Sequence, residues 1–264
     1  MRRTFAEVLR SSGIDVQAEY NSLQSLVFER YGLYTFMDSH FREVWFADTA
    51  ISLEDFNKRH NFDFDRVRSD ASLDDLLDLC EYAYNFADVL TDVGVSGGGS
   101  CWVVLEHINT LVDKLGYTDT RDDGFVVFVP RDENIVAAAK VAPTHVAQDM
   151  LRYGYRGFEG DLGEKKSMLV RMLGEIEPKR KELERLSKSL ATDLFYIANN
   201  FNLRHNNIDP SDRGKYRPHI AEMGENELEG WYDVCRDLCA ASFLLLDYSE
   251  RKSELDELKQ QMVG

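Results

Sequence analysis

Arg204 and His205 stand side by side, among carboxamides at Asn199, Asn200, Asn202, Asn206 and Asn207. A guanidinium can grip a phosphate through two parallel hydrogen bonds. An imidazole can move a proton near neutral pH. Together they could act on a ribose phosphate: His205 takes the proton from the 2′-OH, and Arg204 steadies the phosphorus oxyanion. Asn206 or Asn207 could orient the phosphate or the ring. A second pair, Arg213 and His219, follows closely, with Lys215 and Arg217 between them. From 200 to 219 the sign of the charge is locally basic, four cations facing Asp209 and Asp212. This chemistry needs no metal, and no dense carboxylate cluster is present to hold one, so no cofactor is expected. The same residues also have a purely structural use. Arg204 could bond the open carbonyls at a helix end and His205 could cap it, with Asn accepting left-handed backbone. Both readings stay open at the level of residue chemistry.

Adjacent residues diverge by about 100° on a helix, so Arg204 and His205 converge only if the backbone turns there. The elements around them set that turn. Leu162, Leu169, Ile176, Leu183, Leu190 and Ile197 recur seven apart, a coiled-coil-like seam or one arm of a helical bundle. Pro178 marks a kink or a new first turn. A last long helix is expected from near Gly224 to about Tyr248, with Trp231, Val234, Cys235, Leu238, Ala241, Ser242 and Leu245 in one stripe. Acids crowd its first turn, as the helix dipole favours. The loop 199–219 joins these two segments, so they should pack antiparallel with the loop at one end.

Upstream, helical spacing runs through 4–31, broken near Gly13 and Asp15, with Gly32 expected to close the second helix. Residues 33–66 are rich in aromatics among acids, which suits a core better than base stacking. Ser52 with Asp55, and Ser72 with Asp75, read as helix starts. The run Gly94–Ser100 lacks the register of a phosphate-cradling loop and reads as a flexible connection. A helix over 102–115 follows. Phe125–Val129, after the turn signal Asp122-Asp123-Gly124, reads as a strand with Tyr117–Arg121 as its hairpin partner. Helix resumes from Asp132, with a break at Pro143.

The 264 residues suffice for one large or two small domains. At 44% hydrophobic and 30% charged the chain is globular rather than disordered. No apolar run approaches the roughly 20 residues that cross a bilayer, and no signal-peptide core follows Met1, so a cytoplasmic protein without membrane association is expected. The net charge of −16 argues against generic nucleic-acid coating. It is uneven: residues 1–150 carry 13 basic against 26 acidic side chains, and 151–264 carry 18 against 21. Cys80, Cys101, Cys235 and Cys239 lack zinc-site spacing and suit buried free thiols. Carboxylates beside His107 or His145, which a metal-dependent hydrolase would need, have no support in the spacing.

Leu203-Arg204-His205-Asn206-Asn207 lies between a helix bearing Asp193-Leu194-Phe195 and a later one bearing Glu227-Leu228-Glu229-Gly230-Trp231-Tyr232-Asp233. Over about 155–248 this resembles the HEPN superfamily, in particular its bacterial abortive-infection members. The resemblance implies a helical bundle, often dimeric, in which an Arg, the polar residue after it and a later His form a metal-independent ribonuclease centre at the dimer interface. Arg204 matches the Arg and His205 the polar residue. The closing His is due where this chain has Ile208, Asp209 and Pro210; Arg213 and His219 keep an Arg-to-His interval, with Gly214 at the polar place. The expected fold is mainly α, a bundle of long antiparallel helices with one small β-hairpin near 117–129. Its expected regions are an acidic, aromatic-rich 1–130, a HEPN-like bundle over 131–248 and a charged tail over 249–264. The expected function is RNA cleavage in a phage-defence or toxin setting, by Arg204 and His205, with Asn206, Asn207, Arg213, Lys215, Arg217 and His219 binding phosphate or RNA. The expected partners are RNA and a second copy or partner protein docked through the C-terminal helices. The other class is a non-catalytic interaction or sensing module of a defence system.

Overall fold

The computed structural model describes residues 13–29, 32–64, 68–92 and 99–263. The fold is mainly α, with one antiparallel hairpin of two strands. The chain divides into two compact units, residues 1–128 and 129–264.

The first unit contains α1 (Val16–Phe28), α2 (Leu33–Ser39), α3 (Leu53–Arg59), α4 (Leu73–Asp92) and α5 (Gly99–Leu115), then β1 (Tyr117–Asp122) and β2 (Phe125–Pro130), which runs into the second unit. Local chemistry sets the starts. Asp15 accepts from Ala18 N at 3.1 Å. At the first turn of α3, Asp55 N donates to Ser52 Oγ and Asp55 Oδ2 accepts from Ile51 N. Ser72 and Asp75 form the reciprocal box at α4. The hairpin turns through Asp123 and Gly124, both at positive φ, the geometry that matches strand twist. Most of the aromatics of the expected core form it: Phe41, Phe56 and Phe64 are buried, Phe46, Phe56 and Phe86 interlock at centroid distances of 5.0–5.9 Å, and Tyr82 joins Phe86 at 5.1 Å; Trp45 and Phe62 are instead exposed.

Gly32 departs from expectation. Its backbone is extended and it precedes α2 rather than closing α1. A glycine is required because a Cβ would lie 2.7 Å from the Val27 carbonyl oxygen. The expected helix over 4–12 and the centre of the glycine run lie outside the described residues.

The second unit holds α6 (Glu133–Ala139), α7 (Thr144–Arg152), α8 (Leu162–Ile176), α9 (Arg180–Leu186), α10 (Lys188–Asn200), a short α11 (Pro218–Ala221) and α12 (Glu225–Val263). Pro143 separates α6 from α7. A single 3-10 turn containing Pro178 joins α8 to α9, and Ser187 caps α10 after a break. The seven-residue repeat is therefore spread over three helices. Leu169, Ile176, Leu183 and Ile197 are buried in the unit's own core, so the repeat is a bundle arm, not a free coiled-coil seam. Two pairs of contacts give the direction of packing. Phe201, just past α10, touches Trp231 near the start of α12 at 5.0 Å. Ser249 Oγ, far along α12, donates to Glu182 in α9 at 3.3 Å. The α9–α10 arm and α12 thus run antiparallel. The charged residues after Tyr248, which could fray or extend the helix, extend α12 to Val263.

Candidate functional site

The stretch between α10 and α11 is a compact loop that its own side chains hold shut. Phe201 N bonds Ile197 O and Arg204 N bonds Ala198 O, each at 3.0 Å, closing the end of α10. Asn202 supplies the left-handed residue at φ 57°. Phe201 and Leu203 are buried beneath the loop.

Asn207 joins the two ends of the loop and is 0% exposed. Its Oδ1 accepts from Asn202 N at 2.9 Å, and its Nδ2 donates to Lys215 O at 2.8 Å. Its carbonyl accepts from Arg217 N at 2.8 Å. A fully buried carboxamide with one donor and its oxygen committed to backbone groups is not presented to a phosphate in solution. Asn206 beside it is exposed.

The cations are similarly occupied. The Arg204 guanidinium pairs with Glu177, from the turn between α8 and α9, and lies 5.9 Å from the centroid of Phe195. Arg180 covers the same ring at 4.5 Å. Arg217 Nε donates to Asn200 Oδ1 at 3.0 Å, and its Nη1 to Tyr216 O at 3.0 Å. Lys215 Nζ lies 3.4 Å from His205 Nε2. An ammonium only donates, so this contact makes Nε2 the acceptor and leaves the ring proton on Nδ1. Arg213 and His219 are exposed, and neither side chain bonds to Arg204 or His205 among the described residues. Two Ser211 hydrogen bonds hold the Asp209 carboxyl below its usual range. The structure thus brings His205 to Lys215 and Asn207 to Asn202. It takes Arg204 to Glu177 and Arg217 to Asn200.

A cavity of about 260 Å³ lies elsewhere in this unit, lined by Pro143, Glu175, Lys179, Phe243, Asp247 and Glu250 among others. No loop residue lines it. Among the described residues no group of three or more His, Cys, Asp or Glu is placed to hold a metal ion, and no helix is long and apolar enough to cross a membrane. The four cysteines are buried and free. Cys235 and burial push the Cys239 thiol up.

Two further features carry no local signal of their kind in the sequence. One is a charged network on the inner side of α12. Lys165 Nζ meets Glu229 Oε1 at 2.5 Å and Asp233 Oδ1 at 3.6 Å. Tyr153 is sandwiched between Lys165 and Arg236, at 5.0 and 5.2 Å from its ring centroid. Burial, with Asp233 beside it, pushes the Tyr153 phenol far up. Burial alone would raise the Glu229 carboxyl, but Lys165 and the Gly160 N–H outweigh it and hold the group below its usual value. Asp149 receives Arg171 through two bonds nearby.

The other feature is the opposite face of α12. The single stripe expected there is two stripes, offset by one residue. Leu228, Tyr232, Cys235, Cys239, Ser242, Leu246 and Ser249 face the core. Trp231, Val234, Ala241 and Tyr248 are exposed, while Leu238 and Leu245 are half-buried. The outer stripe then runs on through Leu255 and Met262, the latter 79% exposed. Both stripes alternate steps of three and four, and residues one apart on a helix sit about 100° apart. Their offset could have been read from the sequence; that the outer one is left largely exposed among the described residues could not. At its N-terminal end the outer stripe meets the loop: Trp231 touches Phe201, and Phe201 touches Tyr196 at 6.2 Å.

No family model, curated protein or solved structure matches this chain.

Proposed function

We propose that this protein is a non-catalytic helical interaction module whose working surface is the outward face of α12. The observation that carries this reading is the run of Trp231, Val234, Leu238, Ala241, Leu245 and Tyr248 along the open side of a surface helix. Leu238 and Leu245 lie half-buried against the unit's own core and Trp231 touches Phe201, while Val234, Ala241 and Tyr248 are open. The outward side of a surface helix is normally polar, and long contiguous apolar patches on soluble proteins mark interaction sites. The loop supports the reading from the other side. Its buried carboxamide and most of its cations already have partners within the same unit. A phosphate would have to displace them.

A second reading is a metal-independent ribonuclease of the HEPN type in a phage-defence setting, with RNA as its substrate. The contact between His205 and Lys215 favours it, because it keeps a proton-moving group beside a cation on a partly open loop. For catalysis Arg204 would have to leave Glu177, and Lys215 would have to release His205 Nε2.

The test is incubation of total RNA with the protein in EDTA, using wild type, Arg204→Ala and His205→Ala, each checked for folding. The interaction reading expects no cleavage by folded wild type. Cleavage that disappears in folded His205→Ala would overturn it in favour of the ribonuclease.

A further inference from the structure

The outward stripe of α12 is long, evenly spaced and extends past the body of the unit. We infer that it pairs in parallel with the same helix of a second copy of this chain. This rests on the interaction reading above and deepens it by naming the partner.

Spacing is the first argument. From Trp231 to Met262 the positions alternate in steps of three and four, the repeat of a two-stranded coiled coil. At 1.5 Å per residue the stripe is about 48 Å long. The second argument is the free end. Beyond Glu250 the ion pairs of the described residues stay within the helix, Arg251 with Asp247 and Lys259 with Asp256. Leu255 and Leu258 are about half exposed there. The stretch from Arg251 to Val263 extends a formed helix and incurs no nucleation cost, but as an exposed terminus it frays readily. A neighbour on its apolar side would make it stable.

Charge selects the neighbour. The chain carries −16 overall, a charge that by itself favours a basic partner. The free end itself is nearly balanced: Arg251, Lys252 and Lys259 against Glu250, Glu254, Asp256 and Glu257. Mixed signs in alternation complement a copy of themselves better than a single-sign surface. With Leu255 at a d position, Arg251 falls at g and Asp256 at e. In a parallel pair each Arg251 then faces the partner helix at Asp256, once on each side of the seam. Lys252 and Lys259 fall at a positions. Their stems can cover apolar surface while the ammonium groups reach water, and polar a positions fix register at a cost in stability. The pair is therefore reversible.

The test uses the full chain. Sedimentation equilibrium across the micromolar range should give a mass that rises with concentration from one chain to two. Leu255→Lys should raise the dissociation constant at least about tenfold and leave the unfolding curve of dilute protein unchanged. Orientation is read by oxidative cross-linking of Tyr248→Cys and of Met262→Cys, against a background of four buried native thiols. A parallel pair cross-links to itself at both positions; an antiparallel pair can do so at one at most. Wild type that stays monomeric at the highest concentration, or a dimer untouched by Leu255→Lys, overturns the inference, and cross-linking at only one position overturns the parallel arrangement. A monomer that also leaves RNA intact in EDTA overturns the second copy alone, the interaction reading then requiring a different chain. RNA cleavage lost in His205→Ala overturns the interaction reading itself.

Discussion

The loop after α10 and the outward face of α12 meet at Phe201 and Trp231, yet they deploy their residues in opposite ways. The loop is built from groups that do chemistry in other settings, and here they are largely tied to one another and to the bundle. The face of α12 is built from groups that normally fill cores, and here Val234, Ala241, Tyr248, Leu255 and Met262 are open to water. A polar side chain in a suggestive sequence is a candidate for function only while its hydrogen-bonding capacity is free. An apolar side chain becomes one when nothing covers it.

The charged network inside α12 should respond most strongly to mutation. Glu229→Ala leaves Lys165 in a buried site with only the more distant Asp233, which should cost about 3 kcal/mol in denaturant unfolding at neutral pH. The folded Glu229 carboxyl titrates below its ordinary value of 4.5. Its stabilising contribution is therefore complete above that pH and is lost as pH falls through the folded value. The deficit of Glu229→Gln should accordingly shrink in acid; a deficit constant down to the acid transition would show that the ion pair is not the cause.

Asn207→Ala should cost about 2–3 kcal/mol, since it strands the Asn202 N–H and the Lys215 carbonyl inside the loop. Asn206→Ala next to it should stay within about 0.5 kcal/mol. Equal costs would abolish the distinction between a structural and a free carboxamide. Arg204→Ala should cost about 1 kcal/mol, because its pairing with Glu177 is partly open to solvent. Salt should reduce that difference. The smallest effect on folding belongs to the outward face. Met262→Glu should change the stability of dilute protein by less than about 0.5 kcal/mol, since the residue is 79% exposed. A large loss there would mean that the face is covered internally.

Features written in short stretches of sequence were legible. Ser52 with Asp55 and Ser72 with Asp75 mark their helices because a capping box lies within one turn. Asp123-Gly124 marks the hairpin because both residues tolerate positive φ. The left-handed residue at the end of α10 was foreshadowed by the local run of Asn. Long-range pairings were not legible. Nothing near Arg204 announces Glu177, and nothing in Lys165 announces Glu229, because such pairs are set by which helices pack together. Gly32 reads as a helix stop by residue type, whereas its real constraint is the nearby Val27 carbonyl. The expected end at Tyr248 follows the last core-facing turn. Beyond it the charged segment extends the helix, with Arg251 and Lys259 paired to acids one turn back, each pair adding only about 0.2–0.5 kcal/mol.

Amide hydrogen exchange, followed at two protein concentrations, tests the contrast between loop and helix most directly. The amides of Asn202, Arg204 and Arg217, each bonded inside the loop, should be protected equally at both concentrations. Those of residues 251–263 should exchange rapidly when dilute and slowly when concentrated. A loop that exchanges freely beside a C-terminal segment whose exchange ignores concentration would contradict both halves of the account.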